Sequence, residues 1–345
     1  MVISLLLLAR LSCAQEASVA ISGGGEVDTN YVETFQGMVT GRLYISQKYT
    51  NTEIFDEELD LNLLYSPNTT LNLGVGATYK GFSLNLAYGF GFLNPDEGQG
   101  ETTYLDLQSH VYKRKTVIDM YGQFYNGLYL ENTPVALPGF KDPFYLRPDM
   151  RIRLFGFSYM HLFKGDRFSF SASFIQDEIQ KKSAGSFLLG GEVALVYMDS
   201  DSTIIPNVEN DTAFASVRGL NQVSFLDYGP KVGYTHTFVI FERFFITGAL
   251  FLRLAIGPGR YRYDDGRLVE AWVVNPSASA RFALGYNTEK FYLGISTVNS
   301  TFSNALDEGA NTLQFGVGNV RINFAKRFSI DRKWQERIEK LPVIN

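Results

Sequence analysis

Residues 81–92 read GFSLNLAYGFGF. At a period of two, Phe82, Leu84, Leu86, Tyr88, Phe90 and Phe92 fall on one phase, and Ser83, Asn85, Ala87, Gly89 and Gly91 on the other. Successive side chains of an extended strand point to opposite faces, so the stretch predicts a strand with one bulky apolar face and one small or polar face. A soluble sandwich or barrel also alternates, with its large apolar residues inward. A solvated strand face, however, is normally rich in Lys and Glu, whereas this one carries Gly, Ser, Ala and Asn. Apolar stripes of five or six positions imply strands of about 9–11 residues, the length of a tilted strand crossing lipid. The reading that fits is an apolar face turned outward to acyl chains and a small polar face lining a lumen.

The same period runs through most of the chain. Leu59, Leu61, Leu63 and Tyr65 alternate with Glu58, Asp60 and Asn62, and Leu71, Leu73, Val75 and Ala77 with Asn72, Gly74, Gly76 and Thr78. Leu105 and Leu107 oppose Asp106, Gln108 and His110; Ile118 and Met120 oppose Asp119 and Tyr121. Phe168, Phe170, Ala172 and Phe174 oppose Ser169, Ser171 and Ser173, which predicts a further strand there. Ile246, Leu250, Leu252 and Leu254 oppose Thr247, Ala249 and Arg253; Ala278, Ala280, Phe282 and Leu284 oppose Ser277, Ser279 and Arg281; Val320, Ile322 and Phe324 oppose Arg321 and Asn323. Some connections are tight and charged, such as those at 79–82, 113–115, 241–243 and 288–290, and others are long and polar. Short turns at one end and long loops at the other are the habit of an up-and-down transmembrane barrel. The expected fold is therefore an all-β transmembrane antiparallel barrel of about 12–14 strands. Strict alternation of sides fails around 66–70 and 186–200, so either 201–221 hides a strand or one long segment lies at the short-turn end.

Composition agrees. The 345 residues include 28 Phe, 20 Tyr and 32 Gly but only 19% charged residues, and the net charge is −5. Aromatics and glycine serve pleated surfaces and tight corners. An acidic balance gives no basic face for nucleic acid, which is not expected as a partner. The opening MVISLLLLARLSCAQ has a short apolar core and small residues before Gln15, which predicts a signal peptide over 1–14 that takes the lone Cys13 with it. Residues 15–35, with a triple glycine, read as a polar linker, since SGGGE lacks the Lys-Ser/Thr of a phosphate-cradling loop. The barrel is expected over 36–328 and a periplasmic tail over 329–345. The final stripe ends on Phe328, similar to the Phe-terminated signal by which outer-membrane barrels are recognised for assembly, although seventeen residues follow it here.

The blocks VDTNYVETF, TGRLYISQKY, LLYSPNTTLNLGVGATYKGFSLNLAYGFGF, KRKTVIDMYGQFYNGLYLEN, SFLLGG and YGPKVGYTHTFVI together resemble a Bacteroidetes outer-membrane β-barrel family catalogued only as a domain of unknown function. The resemblance covers most of the mature chain. It implies an outer-membrane barrel of a Gram-negative cell and carries over no catalytic residues. Outer-membrane lipid, lipopolysaccharide and the barrel-assembly machinery are the partners it implies.

Chemistry is faint. His110, His161 and His236 are the three histidines, and Ser158 points away from His161 on an extended strand, so no nucleophile–base pair is visible. Asp-Gly clusters such as Asp265-Gly266 read as hairpin turns, since a calcium site needs more oxygen ligands at fixed spacing. No metal or cofactor is expected. The candidate lumen-lining groups are Glu58, Asp60, Asp106, His110 and Asp119 from early strands and Arg253, Arg281 and Arg321 from late ones. First and last strands meet in a closed barrel, so these charges are expected to face one another, filling the lumen with salt bridges or lining a polar path. The leading expectation is a non-enzymatic narrow channel or binder of a small polar solute. The alternatives are an envelope-organising barrel with a blocked lumen and, less favoured, a lipid-modifying enzyme.

Overall fold

The computed structural model describes residues 16–35, 37–207, 212–306 and 311–331. The expected leader, 1–14, and residues 332–345 of the expected tail lie outside them. The described residues form sixteen strands: β1 (Glu16–Gly23), β2 (Val32–Thr34), β3 (Met38–Asp56), β4 (Leu61–Ser66), β5 (Leu71–Tyr79), β6 (Phe82–Tyr88), β7 (Thr103–Lys113), β8 (Thr116–Leu130), β9 (Tyr145–Leu162), β10 (Glu178–Gln180), β11 (Ala184–Asp199), β12 (Leu220–Ile240), β13 (Phe244–Tyr263), β14 (Leu268–Asn287), β15 (Phe291–Ala305) and β16 (Asn311–Ser329). All but β2 and β10 belong to one 14-stranded sheet. β16 pairs with β3 from Asn311–Asp56 to Ser329–Met38, which closes the sheet into a barrel. Closure leaves no wall strand with an open edge, the condition for strands in a medium without water. No described helix is long and apolar enough to cross a membrane.

The faces follow the alternation. On β13, Phe244, Ile246, Leu250, Leu252 and Leu254 are exposed while Thr247, Ala249, Phe251 and Arg253 are buried. Leu84 is exposed, and Ser83 and Asn85 face inward. An apolar exterior around an interior that holds buried charges such as Arg253, Asp119 and Arg281 inverts the arrangement that water selects. The opening stretch is shorter as a strand than its pattern suggests. β6 stops at Tyr88, and Phe90 packs edge-on against Tyr88 and tilted against Phe92, which lies in a 3-10 turn, Gly91–Leu93. Strand length is uneven in the sheet, from 6 residues in β4 to 21 in β12.

Both strand-side irregularities have causes. β4 and β5 are one interrupted strand, since both run antiparallel to β3 along successive parts of its length. The long segment 163–183 then joins β9 to β11 at the short-turn end, and alternation of sides is restored. The hairpin at that end between β5 and β6 needs positive φ at both Lys80 (48°) and Gly81 (81°), the geometry whose twist matches paired strands.

Three expectations are corrected. Residues 15–35 are not a linker throughout: β1 lies in the wall between β6 and β7, antiparallel to the first and parallel to the second, and β2 pairs with β10. Val19 and Ile21 supply its outward face and Ser18, Ala20 and Ser22 its inward one, so the local pattern satisfies the wall. Residues 168–174 are not a strand. Ser169 accepts from the Ala172 amide and caps a one-turn helix, Phe170–Phe174, that stands inside the barrel. The stripe Leu61, Leu63, Tyr65 is not lipid-facing either, for Leu63 and Tyr65 are fully buried in an apolar cluster at the loop end.

Candidate functional site

The lumen is filled in three storeys. At the loop end, inward residues of the long strands, among them Ile54, Tyr65, Tyr125 and Phe315, pack against Ile204, Ile205, Phe214 and Val217 of the β11–β12 connection. Polar groups fix that connection in place. Tyr65 donates to the Ile204 carbonyl at 2.7 Å, Arg147 to the Thr203 carbonyl at 2.9 Å, and the Phe214 amide to Asp56 at 2.8 Å. Burying an aromatic or aliphatic side chain of this kind stabilises by about 1.5–3 kcal/mol, so the closure is a packed core rather than a loose cap.

At the turn end, 163–183 folds into the lumen as a plug. Phe168, Phe170 and Ile175 are buried against Tyr112, Leu188 and Phe251 of the wall. Arg114 makes a two-point ion pair with Glu178, and Ser169 donates to the same carboxylate. Arg42 donates to the Ile175 carbonyl at 2.6 Å, Arg327 to the Gln176 carbonyl at 2.7 Å, and Tyr292 to the Ser173 carbonyl at 3.0 Å. Ser22 of β1 donates to Asp177. Enclosure, and then the neighbouring Glu178 carboxylate, push the Asp177 carboxyl up to about 7. Buried backbone carbonyls of a non-wall segment must find donors, and here arginines of the wall supply them.

Between the closures lies a charged storey. Asp119 pairs with Arg281, which also donates to Tyr112 at 2.9 Å, and His110 Nδ1 lies 2.7 Å from the other Asp119 oxygen. Arg253 meets Glu192 at 3.1 Å and Asp227 at 3.7 Å, with Lys231 on the second Glu192 oxygen. Asp106 takes Lys48 at 3.2 Å, Gln123 at 2.7 Å and Tyr125 at 2.8 Å. Arg321 stacks on the Tyr44 ring, 4.3 Å from its centre. A cavity of about 60 Å³ remains in this storey, lined among others by Arg42, Lys48, His110 and Arg321.

Of the groups singled out in the sequence, Asp106, His110, Asp119, Arg253, Arg281 and Arg321 point into the lumen. Glu58 and Asp60 do not. They sit in the exposed β3–β4 turn, where Asp56 accepts the Glu58 amide and Asp60 takes φ of 52°, so their alternation with leucines is turn sequence, not strand. Early acid meets late base in Asp119–Arg281; the acids serving Arg253 come from β11 and β12. Sequence reasoning missed Arg42, Lys48, Glu192, Asp227 and Lys231. Each is an isolated charge on the small-residue phase of a strand, a signal that was present for Glu192 and Lys231 beside glycines. His161 and His236 lie on the outer face among aromatics, against Phe163 and Phe238. No group of three or more His, Cys, Asp or Glu among the described residues could hold a metal ion.

Residues 26–328 match a family described as a domain of unknown function, DUF4421. No curated protein matches the chain. Among solved structures, the outer membrane protease OmpT from Escherichia coli is similar at 9% identity over 86% of this chain and 98% of that one, with a TM-score of 0.38. The translocator domain of the autotransporter NalP from Neisseria meningitidis is similar at 7% identity, over 84% and 88%, with a TM-score of 0.34. An outer membrane channel from Pseudomonas putida F1 is similar at 9% identity, over 88% and 100%, with a TM-score of 0.28. Likenesses at such identities and scores say nothing of activity.

Proposed function

The chain belongs to the DUF4421 family, a domain of unknown function, and on that premise we propose that it is a non-enzymatic outer-membrane barrel whose resting lumen is closed and holds a small polar solute. The observation that carries this reading is the stacking of the lumen: an apolar core at the loop end, a plug at the turn end, and a charged chamber between them. Location in an outer membrane is supported by the closed ring with an apolar exterior and by the expected leader. An open channel fits less well, because both ends are packed with fully buried side chains. A hydrolytic role fits less well too. His110 is bound to Asp119, but none of its described contacts supplies the nucleophile that a base must reach.

Planar-bilayer conductance of the purified, refolded protein tests the reading. The native chain should give no steady current. Loosening both closures together, by Glu178→Ala with Phe214→Ala and Ile204→Ala, should give current bursts. A stable porin-sized conductance from the native chain would remove the closed-lumen reading.

A further inference from the structure

The chamber has a sign. Its lining contains Arg42, Lys48 and Arg321 and the imidazole of His110, and no carboxylate. Asp106 and Asp119 stand behind it, the first on Lys48 and the second shared by Arg281 and His110. Arg42 is nearly fully buried and its four hydrogen bonds all go to neutral acceptors: Ser83 and Asn85 at 2.7 Å, Thr78 at 2.5 Å and the Ile175 carbonyl at 2.6 Å. No carboxylate lies within ion-pair distance of it among the described residues, and its Nε is buried without a hydrogen-bond partner. The plug's Asp177 carboxylate acts on it only from beyond ion-pair distance, and a buried guanidinium without a directly paired counter-charge is costly in any interior, and more so at membrane depth, where charged groups are ordinarily paired. Neutral donors complete the lining: Ser18, Asn85, Gln108 and Asn319.

Size narrows the ligand. One water takes about 10–15 Å³ of such space, so ≈ 60 Å³ holds roughly four water-sized atoms. Nitrate, carboxylate, phosphate and sulfate are of that size; a sugar or nucleotide is not. Guanidinium groups bind such planar or tetrahedral oxyanions through paired N–H donors.

We propose that the chamber between Arg42, Lys48 and Arg321 is a binding site for a small oxyanion of the phosphate, sulfate or carboxylate class. The proposal rests on the closed-lumen reading and names the class of its solute. The Ile175 carbonyl shares Arg42 with the chamber, so the plug forms one wall of the site.

The test is calorimetric titration of the native barrel in an uncharged detergent with phosphate, sulfate and acetate, against chloride at matched ionic strength. Saturable binding of at least one oxyanion is expected, with affinity about 10- to 100-fold weaker in Arg42→Gln and in Arg321→Gln. Lys290→Gln, at the exposed turn end, should bind as the native chain does. Heat-modifiable gel mobility establishes that each variant is folded, and two arginines on different strands keep the test open if one variant fails. No saturable binding beyond chloride, or undiminished binding in a folded Arg42→Gln or Arg321→Gln, would overturn the proposal. So would binding of a phosphate-headgroup detergent with none of the free anions. Those results leave the conductance of the native chain at zero, whereas failure of the closed-lumen reading appears as current, so the two failures are separable.

Discussion

Arg281 meets Asp119 inside the barrel although 162 residues separate them in the chain, and Asp119 gives its other oxygen to His110. The pair is enclosed, so its worth lies in mutual dependence. Arg281→Met strands the Asp119 carboxylate and should cost about 3–5 kcal/mol, while adding Asp119→Asn should return much of that loss. Urea unfolding in lipid vesicles measures both. A double-variant loss equal to the sum of the Arg281→Met and Asp119→Asn losses would mean the two groups act independently.

The outer face makes a depth-dependent prediction. Leu252, mid-strand on β13, is exposed on the apolar belt, and Leu268 opens β14 near the loop end. Leu252→Arg should cost about 2–4 kcal/mol and Leu268→Arg no more than about 1 kcal/mol. Unfolding in vesicles of the two variants checks it, and equal penalties would contradict a lipid-embedded belt.

Asp177 should couple the plug to pH. Its carboxyl is raised to about 7 with the plug docked, above the ordinary carboxylate value, so the docked state binds the extra proton between those limits. Its contribution is fully present below about pH 4, is lost as pH rises to about 7, and is flat above. The fall in melting temperature between pH 4.5 and 7.5 should be smaller in Asp177→Asn than in the native chain. Parallel curves would remove Asp177 as the source.

Close packing along the β3–β5 pair gives a steric test. Tyr44 lies across from Gly74, and a Cβ added to Gly74 would come within 2.2 Å of the Tyr44 ring. Gly74→Ala should destabilise by about 1–3 kcal/mol, and the same substitution in a Tyr44→Ala background should cost much less. A thermal melt of the four chains decides it.

Where the alternating stripes are long, the sequence was readable. The β13 and β14 stripes of Leu, Ala and Phe fix both the strand and its outward face, because only lipid accepts so long an apolar row. Periodicity does not say which side is inside, and that is why Leu63 and Tyr65 were assigned outward when they pack in the loop-end core. FSFSASF alternates as well as any strand, yet it lies in the lumen, where Ser169 caps a helical turn. The strand SVAIS within β1 was too short to stand out from its polar surroundings. Lumenal charges were recognisable as a class, but their pairing depends on register round the ring, which no local pattern encodes, so Lys48 as the partner of Asp106 and Glu192 as the partner of Arg253 could not be read.

One consequence concerns how the cylinder is completed. Elsewhere round the ring, neighbours follow one another along the chain or meet where β16 closes on β3, but the gap between β6 and β7 is filled by β1, which no turn connects to either. The same N-terminal stretch supplies Ser22 to Asp177 and β2 to β10. Sealing the seam and corking the barrel are thus a single topological event. An assembly intermediate that lacks that stave should be both split along its side and leaky.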